Sequence, residues 1–219
     1  MNDYLPVMLS VDHPHPELEQ WVAARFETLN GRAVTIIRKD DLPQEAQLCY
    51  PAYAKAWLWD VVPATTERIL FLDFDIVPLR KLPDLPAALF AAVPDTPGYV
   101  DQMRAMYPHF ARTRHVFNAG FFVAHRDTRS CFEQLKSFAV VTGYNNPYGC
   151  TYEQTPLNHL IQSAFSVTWL PPEFHCLAHT HYAAVPNGYL LHLTGTGATG
   201  RWVIMELFRS ILGLDPIKE

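Results

Sequence analysis

The sequence predicts one α/β domain spanning residues 1–219, built on a mostly parallel central sheet, and three observations lead there. Residues Arg68–Arg80 read RILFLDFDIVPLR, and the unbroken apolar run Ile69–Leu72 is the pattern of a short strand buried on both faces, as in parallel sheets. At the amino end a strand-like run, a helical stripe and a second strand-like run follow one another, the β-α-β order that joins parallel strands. Strand-like and helical stretches then keep alternating, with no repeat, linker or low-complexity tract between them. A chain of 219 residues, 49% of them apolar, has enough material for one substantial core.

The elements follow in order. Leu5–Val11 is the first strand. Pro16 opens a helix, with Glu17 and Glu19 in its first turn and Leu18, Trp21, Val22, Phe26 and Leu29 as its apolar stripe, and Asn30-Gly31 stops it. Ala33–Arg38 is the second strand, and Pro51–Val62 a helix apolar nearly all round. The Arg68–Arg80 strand comes next. Prolines 83, 86, 94 and 97 break up residues 81–115, where only Val100–Tyr107 reads as a short helix. Asn118–His125 is a strand, Asp127–Val140 a helix, Gly143–Cys150 a polar loop, and Thr151 opens a helix to about Phe165. Ser166–Leu170 and Tyr189–Leu193 are late strands, and Arg201–Leu212 a terminal helix.

Composition excludes several classes. A net charge of −5 without a basic cluster argues against nucleic acid and anionic membrane surfaces as partners. The start, MNDYLPVMLSVDHPHP, lacks the cationic n-region and long apolar core of a signal peptide, and no stretch reaches the length of a membrane span. Cys49, Cys131, Cys150 and Cys176 are scattered, as reduced thiols of a cytoplasmic protein would be.

Asp73 and Asp75 carry the chemistry. At i and i+2 of an extended strand they share one side of the backbone, and adjacent carboxylates repel unless a cation compensates them. Ligands of open α/β sheets bind beyond the carboxyl ends of the strands, so a divalent metal holding an anionic ligand is the economical reading. The plainer reading makes one Asp a turn cap and leaves the other solvated.

Four segments read in order, YAKAWLWDVVPATTERILFLDFDIV, FNAGFFVAHRD, YEQTPLNHLI and HLTGTGATGRW, resemble the successive motifs of the glycogenin-like, family 8 glycosyltransferases, over about Tyr53 to Trp202. The resemblance implies a GT-A (Rossmann-like) fold and a retaining transferase using a nucleotide-sugar donor, usually a UDP-sugar, with Mn²⁺, or Mg²⁺ in its place. It implies that Asp73, Asp75 and His192 ligate the metal, a carboxylate and imidazole set that suits Mn²⁺. Lys55 stands at the family's basic position near the donor sugar and phosphates, and Asn118 and Gly120 match its Asn-x-Gly at the sugar. Phe74, between the two aspartates, falls with the donor contacts. Val11 and Asp12 stand where the family holds uracil and ribose, although Asp12 would serve equally as a helix cap. Gly195, in the loop TGTGATG, and Arg201, where the family has Lys-Pro-Trp, match its phosphate contacts, with a longer loop here; a plain glycine-rich turn is the alternative.

Glu153-Gln154-Thr155 lies where the family has Asp-Gln-Asp, which puts Gln154 beneath the anomeric carbon with Glu153 beside it. Thr151-x-x-Gln154 is also a capping box, in which Gln154 would only satisfy a helix terminus. His175, His179 and His181, with Cys176, match no usual zinc spacing and read as loop residues. The acceptor, whether glycan, protein or small molecule, would meet the variable loops Pro94–Val116 and Tyr144–Cys150. Two other readings stand: a haloacid-dehalogenase-type phosphatase using Asp73 as nucleophile, and a non-catalytic nucleotide-sugar- or glycan-binding domain. The first lacks later paired acidic residues and has two strands before its nucleophile strand.

Overall fold

The architecture comes from a computed structural model, which describes residues 3–12, 16–108 and 114–194. The predicted terminal helix and all of the glycine-rich loop beyond Thr194, with Gly195 and Arg201, lie outside the described residues. Strands β1 (Leu5–Ser10), β2 (Thr35–Arg38) and β3 (Arg68–Leu72) form the amino-terminal part of a six-stranded sheet. Strands β5 (Phe90–Pro94), β6 (Phe117–His125) and β7 (Val167–Trp169) complete it in the order β2-β1-β3-β6-β5-β7. The β1–β2, β1–β3 and β5–β7 pairings are parallel; β6 runs antiparallel to both neighbours. The chain is thus one mixed α/β domain with a mostly parallel sheet, as its apolar runs predict.

Helix α1 (Pro16–Asn30) crosses between β1 and β2, buries Leu18, Val22 and Phe26 on one face of the sheet, and ends at Gly31, whose φ of +68° is the left-handed stop that glycine adopts freely. On the other face lie α2 (Gln44–Gln47), the 3₁₀ segment Pro51–Trp57 with α3 (Leu58–Val61), α5 (Arg129–Leu135) and α6 (Gln154–Ala164). Strand β3 shows why both faces are covered. Ile69 and Phe71 enter one core, Leu70 and Leu72 the other, and all four are fully buried. Phe71 stacks on Phe122 with centroids 4.9 Å apart.

Several elements differ from expectation for physical reasons. The predicted helix Pro51–Val62 is mostly 3₁₀, whose three-residue turn sets Ala52 and Lys55 in one row, both lining the same cleft. The proline-broken region contains β5 and α4 (Pro97–Met106), because the prolines stand at a strand end and a first helical turn, where the missing N–H is tolerated. The Asp127–Val140 helix is shorter, with 3₁₀ turns on either side of α5. The largest difference concerns the aspartates. Strand β3 ends at Leu72, Asp73-Phe74-Asp75 turns, and Ile76 donates to the Asp73 carbonyl at 3.3 Å. The chain then joins a second sheet, ordered β4 (Ile76–Pro78), β9 (Leu190–His192) and β8 (Cys176–Leu177). The two carboxylates therefore converge across a turn between sheets rather than by alternation along one strand.

Candidate active site

Register builds the acidic centre. Ile76 pairs with His192 in the antiparallel β4–β9 ladder, and Leu193 donates to the Asp75 carbonyl at 3.1 Å, so the imidazole arrives beside the Asp73–Asp75 turn. His192 Nε2 lies 3.0 Å from Asp75 Oδ1 and 3.9 Å from Asp73 Oδ2. From the central sheet, Gly120 accepts the Asp73 N–H at 2.8 Å. Along β6 the side facing each core switches between Ala119 and Phe121, next to a register shift opposite Ala92–Pro94, and this irregularity brings the strand's backbone against the cluster. A β-carbon at Gly120 would lie 2.4 Å from His192 Cε1 and 2.7 Å from Asp73 Oδ2, so only glycine fits.

The residues fit a divalent cation. One ligand atom from each of Asp73, Asp75 and His192 lies within 4.8 Å of the others, and ligands about 2.1 Å from one ion lie about 3 to 4 Å apart. Two carboxylates and an imidazole supply oxygen and nitrogen donors of the kind that ligate divalent cations. Burial alone would lower the His192 pKa, but Asp75 and then Asp73 outweigh it and hold the imidazole above its usual value. A proton on His192 then supplies the positive charge that a cation would otherwise bring.

Lys55 is fully inside the structure. Its ammonium lies 2.5 Å from Glu153 Oε1, 3.2 Å from Asp73 Oδ1 and 5.0 Å from the Phe71 ring centroid. Burial works against its charge, yet the two carboxylates prevail and raise its pKa; burial pushes the Glu153 carboxyl upward while Lys55 opposes that. Its positive charge is thus committed to orienting two acidic side chains of the site.

Gln154 is not a cap. Helix α6 begins at Gln154 itself, its N-cap Glu153 makes no side-chain cap bond, and Thr151 bonds the Tyr148 carbonyl and Thr155 instead. Gln154 is 9% exposed; its Oε1 accepts the Ala119 N–H at 3.0 Å and its Nε2 donates to Asp95 Oδ2 at 2.8 Å. Asn118 donates to the same Asp95 oxygen at 2.8 Å and accepts the Gly120 N–H at 2.9 Å. Asp95, which the sequence did not single out, is therefore the anchor of Gln154 and Asn118; its other oxygen accepts from the Thr96 N–H. Asn158 clamps β6 to α6, accepting from the Phe117 N–H and donating to the Phe117 carbonyl, each at 2.9 Å. Tyr152, just before Glu153, sits at φ +41°, ψ −119°, a conformation that costs a non-glycine residue about 1–3 kcal/mol and is found at functional sites.

These groups open into one cleft of about 280 Å³. Val11, Lys55, Asp73, Phe74 and Asp75 line it together with Asn118, Gly120, Glu153, Gln154 and His192. Asp12 is not among the lining residues: it takes a left-handed φ of +53° and pairs with Lys39 at 2.8 Å. His175 lies in a loop, as read from the sequence, directly before β8, and it is fully buried with its Nε2 2.9 Å from His192 Nδ1.

Comparison with known proteins agrees with this architecture. A glycosyltransferase involved in the glycosylation of the major capsid of PBCV-1 has a TM-score of 0.63 at 15% identity, over 94% of this chain and 100% of that one. Galactosyltransferase LgtC, solved with donor and acceptor sugar analogs, has a TM-score of 0.60 at 16% identity, over 98% of each chain. Mouse xyloside xylosyltransferase 1 has a TM-score of 0.51 at 14% identity, over 88% of this chain and 98% of that one. These likenesses establish the GT-A fold. No curated protein matches the chain in sequence. The profile of glycosyl transferase family 8 matches residues 12–188, most of the chain and the stretch that carries the cleft's first carboxylates and its Gln154 wall, and so the chain belongs to glycosyl transferase family 8 and is a glycosyltransferase.

Proposed function

We propose that this protein transfers a sugar, with retention of anomeric configuration, from a UDP-sugar to an acceptor that is a glycan, a protein or a small molecule. The observation that carries the reading is the convergence of Asp73, Asp75 and His192 with the Glu153–Gln154 pair in one cleft of a family 8 chain. A bound Mn²⁺, or Mg²⁺, would neutralise the departing nucleoside diphosphate. Asp73, Asp75 and His192 would hold it. Lys55 orients the Asp73 and Glu153 side chains. Gln154, whose rotamer is locked at both ends by Ala119 and Asp95, presents a fixed amide dipole to the positive charge that develops at the anomeric carbon. An amide is a poor nucleophile, so front-face transfer supported by that dipole is favoured over a covalent adduct. Glu153 is spent on Lys55, which suits a positioning role for it.

Asn118 and Gly120 face the donor sugar in this reading, Phe74 and Val11 the nucleoside side, with Asp12 beside them, and Gly195 and Arg201 the diphosphate. The domain is taken as residues 1–219. Cys49, Cys131 and Cys176 are free and buried, which suits a cytoplasmic setting, and no helix among the described residues is long and apolar enough to cross a membrane. A thermal-shift screen of nucleotide sugars with and without Mn²⁺ tests the reading. A cognate donor at about 100 times its Kd adds about 2.7 kcal/mol of apparent stability. Stabilisation by no UDP-sugar under either condition would overturn it.

A further inference from the structure

His175 is a buried histidine that the chemistry above does not use. It follows the turn Pro172–Phe174, is 0% exposed, and is wedged between the Phe121 ring, 5.3 Å away, and the His192 ring, 4.9 Å away at 25°. Its Nε2 is 2.9 Å from His192 Nδ1, and its own Nδ1 is buried without a hydrogen-bond partner among the described residues. A buried polar atom left without a partner needs a reason. Cys176, its chain neighbour, opens β8, which pairs Leu177 with His192, so the two rings are brought together by the β8–β9 register rather than by chance of a loop.

The tautomers show what the pair can do. For His192 to offer the Nε2 lone pair to a cation, its proton must sit on Nδ1, and the polar atom bonded to Nδ1 is His175 Nε2. His175 must then accept through Nε2 and carry its own proton on Nδ1. When His192 instead donates from Nε2 to Asp75, 3.0 Å away, a protonated ring still donates from Nδ1 to His175 Nε2, whereas a neutral ring accepts at Nδ1 and His175 holds its proton on Nε2. Only a proton on His192 Nδ1, held against His175 Nε2, is compatible with a cation on Nε2, and His175 Nδ1 has no partner among the described residues in any of these arrangements.

We propose that His175 is the positioning residue of the metal centre: it holds the His192 ring in its plane and in the tautomer that leaves Nε2 free for the cation. Groups that hydrogen-bond a metal-ligating histidine fix its tautomer and orientation, and their loss weakens metal binding about 10- to 100-fold. The inference rests on the metal reading of Asp73, Asp75 and His192.

Three measurements on the full chain test it. In ¹⁵N-histidine-labelled protein, a through-hydrogen-bond ¹⁵N–¹⁵N coupling should join His175 Nε2 and His192 Nδ1, and the Mg²⁺-bound protein should carry the shared proton on His192 Nδ1 with none on its Nε2. Binding of Mn²⁺ alone, followed by electron paramagnetic resonance, should weaken about 10- to 100-fold in His175→Phe, which keeps the ring and removes the bond. His175→Gln, which can still accept from Nδ1–H, should recover part of that loss. In a His192→Ala background His175→Phe should cost nothing further, and melting in EDTA should change little in His175→Phe. Parent-like Mn²⁺ binding by His175→Phe, or an equal loss in the His192→Ala background, overturns the inference while leaving the metal reading standing. A parent that binds no Mn²⁺ removes both, even with the coupling present; a missing coupling refutes the ring pair itself.

Discussion

Gly120 and His192 are packed so closely that a single β-carbon on the glycine would meet the imidazole Cε1 at 2.4 Å. The neighbours that would have to yield are the ring and the Asp73 carboxylate, both already held by other contacts. Gly120→Ala should therefore destabilise the protein by about 1–3 kcal/mol through overpacking and weaken Mn²⁺ binding at the same time. Melting in EDTA and Mn²⁺ titration check the two effects separately; a parent-like result in both would mean that the ring has room to move.

Asp73→Asn and Asp75→Asn should each abolish Mn²⁺-dependent UDP binding while the fold survives. The two differ in what they leave behind. Asp73→Asn removes one of two carboxylates from Lys55, which keeps Glu153, whereas Asp75→Asn removes the partner His192 meets at 3.0 Å. Calorimetry of UDP with Mn²⁺ is the measurement, and undiminished binding by the double variant would refute the metal assignment.

Gln154→Ala should lower turnover by about 10²-fold with little change in UDP affinity, since an aligned dipole acts on the developing charge. It also strips partners from the Ala119 N–H and from Asp95, so stability should fall by about 1–3 kcal/mol, more than the loss of a cap would cost. Asp95→Asn should share the turnover effect, because it loosens the same amide. Near-normal turnover in both variants would assign Gln154 to architecture alone.

Lys55→Met leaves Asp73 and Glu153 without their buried cation and should cost about 3–5 kcal/mol. Adding Glu153→Gln should return part of that stability, because the neutral amide no longer needs a counter-charge. Chemical denaturation of the two variants measures the difference.

The raised pKa of His192 sets a direction with pH. Without metal, the protonated His192–Asp75 pair contributes stability that is full below the unfolded histidine pKa and is lost as pH rises through the raised folded value. A cation competes with that proton, so Mn²⁺ affinity should rise with pH across the same range, and binding should release a proton. Calorimetry in buffers of different ionisation enthalpy reads the proton; release of none would place His192 outside the ligand set.

The apolar runs at Leu5–Ser10 and Ile69–Leu72 determine their strands by themselves, because burial on both faces leaves a mark that needs no partner to read. The order of motifs along the chain, and with it the Asp73, Asp75, Gln154 and His192 set, was likewise legible, since each residue sits in a short local pattern. Tertiary structure alone decided which groups meet. Asp95 closes an apolar strand among prolines and His175 follows a turn; neither has a local pattern, and each acquires its role from a partner in another segment, Gln154 and His192 respectively. The direction of β6 against β3 was equally silent, because side-chain alternation reports the faces of a strand and not which way its neighbour runs. The same limit explains the Asp73–Asp75 turn and the commitment of Lys55: sequence spacing places charges near one another, but only the β3–β6 and β4–β9 registers decide which carboxylate each cation and imidazole reaches.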